Sequence, residues 1–143
     1  MTRQEALNIC WQRFVVDQKP KCETPQAVCM YSHQGNCCAV GALLSPDLRR
    51  HLEGQLFPVT DMAIELAATP HLAEYQAIET GCSMDFLESL QMAHDRVVTC
   101  QTTLNLMEPE AKPQSVQFMK SLSRVARQYG LTCGPCFEPT LTT

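Results

Sequence analysis

The sequence predicts a mainly helical, single compact domain carrying one small β-hairpin, an α+β arrangement. Three observations point there. Helix-start signals recur along the chain, at Thr2-Arg3-Gln4-Glu5, Ser45-Pro46-Asp47, Thr69-Pro70 and Ser83. Apolar residues then follow at three- and four-residue spacings, the repeat of a helix with one buried face. A β-favouring stretch, residues 28–31 and 37–40, flanks the turn-forming Ser32-His33-Gln34-Gly35-Asn36. A chain of 143 residues with 45% hydrophobic content suits one core. The domain is placed at 1–131, its hairpin at about 27–41, and an irregular tail containing cysteine and proline at 132–143.

Each element has a local reason. In Thr2-Arg3-Gln4-Glu5 the threonine oxygen satisfies an early helix N–H and the glutamate reaches back. Leu7, Cys10, Trp11, Phe14 and Val15 form the buried stripe of this first helix, and Pro20 and Pro25 forbid its continuation. The hairpin must pack on helices, because two isolated strands are marginal in water. Whether residues 41–44 extend its second strand or begin a helix stays open.

Ser45 caps a short helix with Pro46 at its first position. Leu48 and Leu52 are its buried residues, and Gly54 closes it. Thr60 caps the next, through Met62, Ile64, Leu66 and Ala67. Thr69-Pro70 opens a third with Leu72, Tyr75 and Ile78, ending at Gly81. Ser83 opens the longest, to about residue 104, with a stripe of Leu87, Leu90, His94, Val97, Val98 and Gln101 or Leu104. After a loop at 108–113, the last helix carries Val116, Phe118, Met119, Leu122, Val125, Ala126 and Tyr129. It stops at Gly130-Leu131.

The net charge of −4 conceals a sharper pattern. Residues 51–95 hold eight acids and no lysine or arginine, whereas the flanking segments are each slightly basic. An acidic middle repels phosphate, so no direct nucleic-acid binding is expected. A basic protein partner is attracted to the same surface. Asp61, Glu65, Glu74, Glu79, Asp85 and Glu88 are the expected contact residues, exposed opposite the buried stripes. Asp61 and Glu65 lie one helical turn apart, where like charges cost a little stability that a basic partner would relieve.

Nine cysteines are many for a chain whose first residues, with Arg3, Glu5 and Arg13, do not read as a secretory leader. A cytoplasmic protein with reduced thiols is expected, and no apolar run approaches a membrane span. Cys10 and Cys100 read as small core hydrophobes. Cys133-Gly134-Pro135-Cys136 shares four letters with thioredoxin redox motifs, without the following helix that such chemistry needs. The same pair suits one half of a structural zinc site, the other half coming from Cys22, Cys29, His33, Cys37 or Cys38. A cysteine-dependent enzyme would use Cys38 with His94 as base. However, neighbouring helix positions point about 100° apart, so Asp95 is not expected to orient His94. A histidine on an apolar stripe reads first as a hydrogen-bonded core residue.

The runs Cys29-Met30-Tyr31, Gly35, Cys38-Ala39-Val40-Gly41-Ala42-Leu43-Leu44, Leu90-Gln91-Met92-Ala93-His94-Asp95 and Gly130-Leu131 resemble a pattern in small phage- and prophage-encoded proteins. The likeness spans roughly residues 5–131. It implies a mobile-element accessory protein that inhibits or modulates host machinery, and carries over no catalytic residue. In that hairpin Cys29 and Cys38 would face each other across the strands, packing together as thiols, sharing a metal or marking a binding edge. The reading is therefore a non-enzymatic module that binds a protein through its acidic surface. A zinc-stabilised module and a cysteine enzyme are the alternatives.

Overall fold

Thr2 begins the first helix as its sequence predicts. Its hydroxyl accepts the Glu5 N–H at 3.1 Å, and the Glu5 carboxylate accepts the Thr2 N–H at 2.9 Å. These bonds favour the charged carboxylate and hold the Glu5 pKa below its ordinary value. The computed structural model describes residues 1–23, 30–98 and 113–132. Helix α1 (Arg3–Trp11) runs into a π-helical turn, Gln12–Val16. The wider turn keeps Phe14 on the buried side with Ala6, Leu7, Cys10 and Trp11, while Val15 is only half-buried.

The hairpin is shorter than expected and displaced. Strands β1 (Ser32–His33) and β2 (Asn36–Cys37) pair antiparallel, with Ser32 opposite Cys37 and His33 opposite Asn36. Gln34 and Gly35 both take positive φ, 50° and 84°, the backbone of a tight two-residue turn. The expected pairing of 28–31 with 37–40 is thereby replaced. Ala39 and Val40 instead open α2 (Ala39–Ala42), whose cap is the Cys38 sulfur accepting the Gly41 N–H at 3.3 Å. Cys29, the proposed cross-strand neighbour of Cys38, lies outside the described residues.

Ser45 caps α3 (Pro46–His51), and Leu48 and Leu52 are buried before Gly54 turns at φ 72°. The next helix is only one turn, α4 (Met62–Glu65), entered through a 3₁₀ turn at Val59–Asp61 rather than a Thr60 cap. One turn buries one face: Met62 and Leu66 go inside, while Ile64 is 73% exposed. Helix α5 (Leu72–Cys82) passes Gly81 by one residue. Arg3 reaches across to donate to the Cys82 carbonyl at 2.8 Å and the Ser83 hydroxyl at 3.0 Å.

Helix α6 (Met84–Asp95) ends earlier than its stripe suggested. The Lys21 ammonium caps it, donating to the Asp95 carbonyl at 2.9 Å and the Val97 carbonyl at 2.7 Å. Leu87, Leu90, His94 and Val97 are buried, but Val98, beyond the helix, is 39% exposed. Gln101 and Leu104 lie outside the described residues. Helix α7 (Gln114–Tyr129) buries Phe118, Leu122, Val125 and Ala126 and leaves Val116 and Met119 half-buried. Gly130 stops it at φ 68°, and the Leu131 N–H bonds the Ala126 carbonyl at 2.8 Å. Among the described residues, all seven helices contribute to one core, with α7 packed on α6 and on the π turn. The molecule is mainly helical with one small hairpin, as predicted.

Candidate protein-interaction surface

The acids of residues 51–95 divide into those the fold uses and those it leaves outward. Glu53 is used: its two oxygens accept the Ser32 hydroxyl at 2.8 Å and the Gln34 N–H at 2.9 Å, fastening the hairpin turn to the end of α3. These bonds, the backbone one first, lower its pKa. Glu74 is used as well. From the first turn of α5 its carboxylate accepts the Ser45 N–H at 2.8 Å and the Ser45 hydroxyl at 2.6 Å, tying α5 to the start of α3. This residue was expected to face a partner; the structure places it on Ser45. Asp61 and Glu79 are half-buried, so the uniform exposure expected of the six acids is corrected. Glu65, Asp85 and Glu88 are exposed.

Exposed apolar residues accompany these acids. Ile64 is 73% exposed between Asp61 and Glu65 in sequence, and Ala67 and Ala68 beside it are exposed. α4 packs on α5 and α5 on α6, so three consecutive elements carry the acids. An exposed isoleucine beside Glu65 in the chain has the make-up of an interface centre: an apolar contact that loses its water, with charge near it that selects a partner. The sequence carries the signal: Ile64 stands two positions from both Met62 and Leu66, about 200° round the helix, and so on the face opposite the one they bury.

The thiols are arranged for packing. Cys10, Cys22, Cys37, Cys38 and Cys82 are free and buried. Burial disfavours the thiolate and raises the pKa of each, that of Cys22 to about 11 and that of Cys38 well above the ordinary range. Cys38 borders an apolar cleft of about 490 Å³ whose wall also includes Tyr31, Phe57, Gln91 and Asp95. His94 does not line that cleft. Its ring is fully buried, edge-on to Phe14 at 5.5 Å and beside Phe118 at 5.8 Å.

Both nitrogens of His94 have partners: Nε2 accepts the Cys22 N–H at 3.1 Å, and Nδ1 lies 2.9 Å from the Asp95 carboxylate. The expectation that Asp95 could not orient its neighbour is therefore corrected. At the last turn of α6 the short carboxylate bends back and spans the angle between adjacent positions. The pair has the form of a base and its orienting acid, but its outer nitrogen is spent on backbone. Burial also depresses the His94 pKa, the Asp95 carboxylate opposing this in part. Cys38 and His94 are thus not assembled as a nucleophile and base.

Alkylation tests this directly. Iodoacetamide applied to the native protein should leave these five cysteines unlabelled until denaturant is added, as read by peptide mass mapping. Prompt labelling of Cys38 would restore the nucleophile reading.

Cys133 and Cys136 lie outside the described residues, as do Cys29 and Cys100. Among the described residues no three histidine, cysteine or acidic side chains come together as metal ligands. No described helix is long and apolar enough to cross a membrane. No family model, curated protein or solved structure matches the chain.

Proposed function

We propose that this domain is a non-enzymatic binding module, a mobile-element accessory protein that modulates host machinery in the cytoplasm by docking a basic protein. The observation that carries the reading is Ile64, 73% exposed and flanked by Asp61 and Glu65 in a stretch without lysine or arginine. An exposed isoleucine gains by burial, and carboxylates beside it select basic surfaces and speed the encounter. Glu65, Asp85 and Glu88 supply the outward charge, with Asp61 and Glu79 at its edge. Glu74 acts indirectly, by holding α5 against α3. The buried, protonated thiols support binding over catalysis, and five free cysteines suit a reducing compartment.

The test is capture from host lysate by immobilised wild type, Asp61→Lys/Glu65→Lys and Ile64→Ser proteins, with circular dichroism as a folding control. One basic protein should be retained by the wild type, weakened about tenfold in either variant, and released more readily as salt rises. Equal retention by all three folded proteins would reduce the acids to solvated surface.

A further inference from the structure

Two of the chain's four histidines come together where α3 and α5 are tied. His51 is the last residue of α3 and is exposed; His71 is half-buried and directly precedes α5. Their ring centres lie 5.1 Å apart, with the planes tilted at 45°. The fold sets this spacing. Glu74, in the first turn of α5, accepts the Ser45 N–H at 2.8 Å and the Ser45 hydroxyl at 2.6 Å, which fixes the start of α3 beside α5. The His71 N–H donates to the Thr69 hydroxyl at 3.2 Å, and that hydroxyl donates to the Leu66 carbonyl at 2.9 Å. These bonds hold the backbone beneath the His71 ring.

Among the described residues neither imidazole makes a hydrogen bond or ion pair; each has the other ring as its partner. The two arginines of α3 are engaged elsewhere. Arg49 donates to the Cys37 sulfur at 3.8 Å, and Arg50 pairs with Asp47. Both histidines also belong to residues 51–95, which hold eight acids and no lysine or arginine. The field of such a stretch draws cations.

We infer that His51 and His71 jointly ligate one divalent late first-row metal ion, each imidazole giving one nitrogen and water filling the other positions. Imidazole suits zinc, copper and nickel. Two imidazoles on one tetrahedral ion, each nitrogen about 2.0–2.1 Å from the metal, have ring centres about 5 Å apart. The observed spacing matches. The outer torsion of histidine is broad and its axis runs through the ring, so turning either ring aims a nitrogen without moving its centre. No third histidine, cysteine or acidic side chain joins them among the described residues. Half the protein ligands of a structural zinc site implies a dissociation constant on the order of 10 μM. Neither histidine is one of the acidic docking residues, so the two readings fail independently.

Zinc is the probe, titrated into the reduced, tag-free, ¹³C-labelled chain while the imidazole C–H NMR signals are followed. His51 and His71 should shift along one binding curve. His33 on the hairpin should not, nor should His94, whose nitrogens both have partners. His51→Ala should weaken the response of His71 about tenfold, and His71→Ala that of His51, with circular dichroism as the folding control. A Cys133→Ser/Cys136→Ser protein should respond as the wild type does. In that background excess zinc should raise Tm by about 5 °C, an increase that either histidine variant removes.

Three results would overturn the inference. Neither ring responds up to about 1 mM zinc. His71 responds equally well in His51→Ala, so that the rings touch without sharing an ion. The response disappears in Cys133→Ser/Cys136→Ser, so that the ion belongs to those thiols.

Discussion

Gly41→Ala lowers the free energy of unfolding by about 3 kcal/mol, the upper part of the range for overpacking a rigid core. The cause is a meeting of two backbones. A Cβ at this position of α2 would fall far inside contact distance of the Tyr31 carbonyl oxygen and 3.1 Å from the Cys37 Cβ. A flexible side chain could move aside, but a carbonyl flanked by a buried ring cannot. Tyr31 is held where it is, its hydroxyl donating to the Phe57 carbonyl at 2.6 Å and its ring lying 4.8 Å from that of Phe57. To admit a methyl group, α2 must lift from the hairpin and loosen the Cys38 cap. Urea unfolding measures the loss. A change under about 1 kcal/mol would mean that the hairpin and α2 separate easily.

His94→Ala should cost about 3–4 kcal/mol, from the cavity between Phe14 and Phe118 and from a buried Cys22 N–H left without its acceptor. The wild-type residue also makes stability depend on pH, and the sign follows from its partners. With Nε2 accepting a backbone N–H, the neutral ring carries its proton on Nδ1, toward Asp95. A second proton has no place at Nε2. Burial therefore lowers the pKa in the folded protein below the ordinary 6.5, Lys21 adding to the effect while Asp95 and Glu23 oppose it.

The unfolded chain accordingly binds the proton first as pH falls. The stabilisation is complete above about pH 7 and is lost below about 6.5, at up to about 1.4 kcal/mol per pH unit until the folded pKa is reached. His94→Gln keeps an acceptor for Cys22 and cannot titrate. Urea midpoints at pH 7.5 and 5.5 should fall further for the wild type than for this variant. Parallel curves would remove His94 as the source.

Most helix boundaries were legible in the sequence. Thr2 with Glu5, Ser45 with Pro46, Ser83, and Gly130 with Leu131 act within a few residues of themselves, and each does what its spacing predicts. The displaced hairpin shows where local reading failed. Val40 favours strands, yet Cys38 uses its sulfur as a helix cap, a job more often done by serine or aspartate. Ile64 lies two positions from both Met62 and Leu66, so in this one-turn helix it faces away from the side they bury.

The candidate surface was legible only as a total. Counting located the acidic stretch and could not say that Glu53 and Glu74 are consumed by Ser32, Gln34 and Ser45.

What the sequence by itself determined is the helical class, the stripes that form its core and the position of its charge excess. Caps and i, i+3 or i+4 spacings act over distances shorter than one helix, so they need no knowledge of the rest. Only the tertiary structure decided which polar groups are spent and which are presented. Cys22 silences His94, Ser45 holds Glu74, and Lys21 caps the end of α6. Each of those pairings joins residues from separate segments, and hydrogen bonds and charges act only where packing has already brought their partners within a few ångströms.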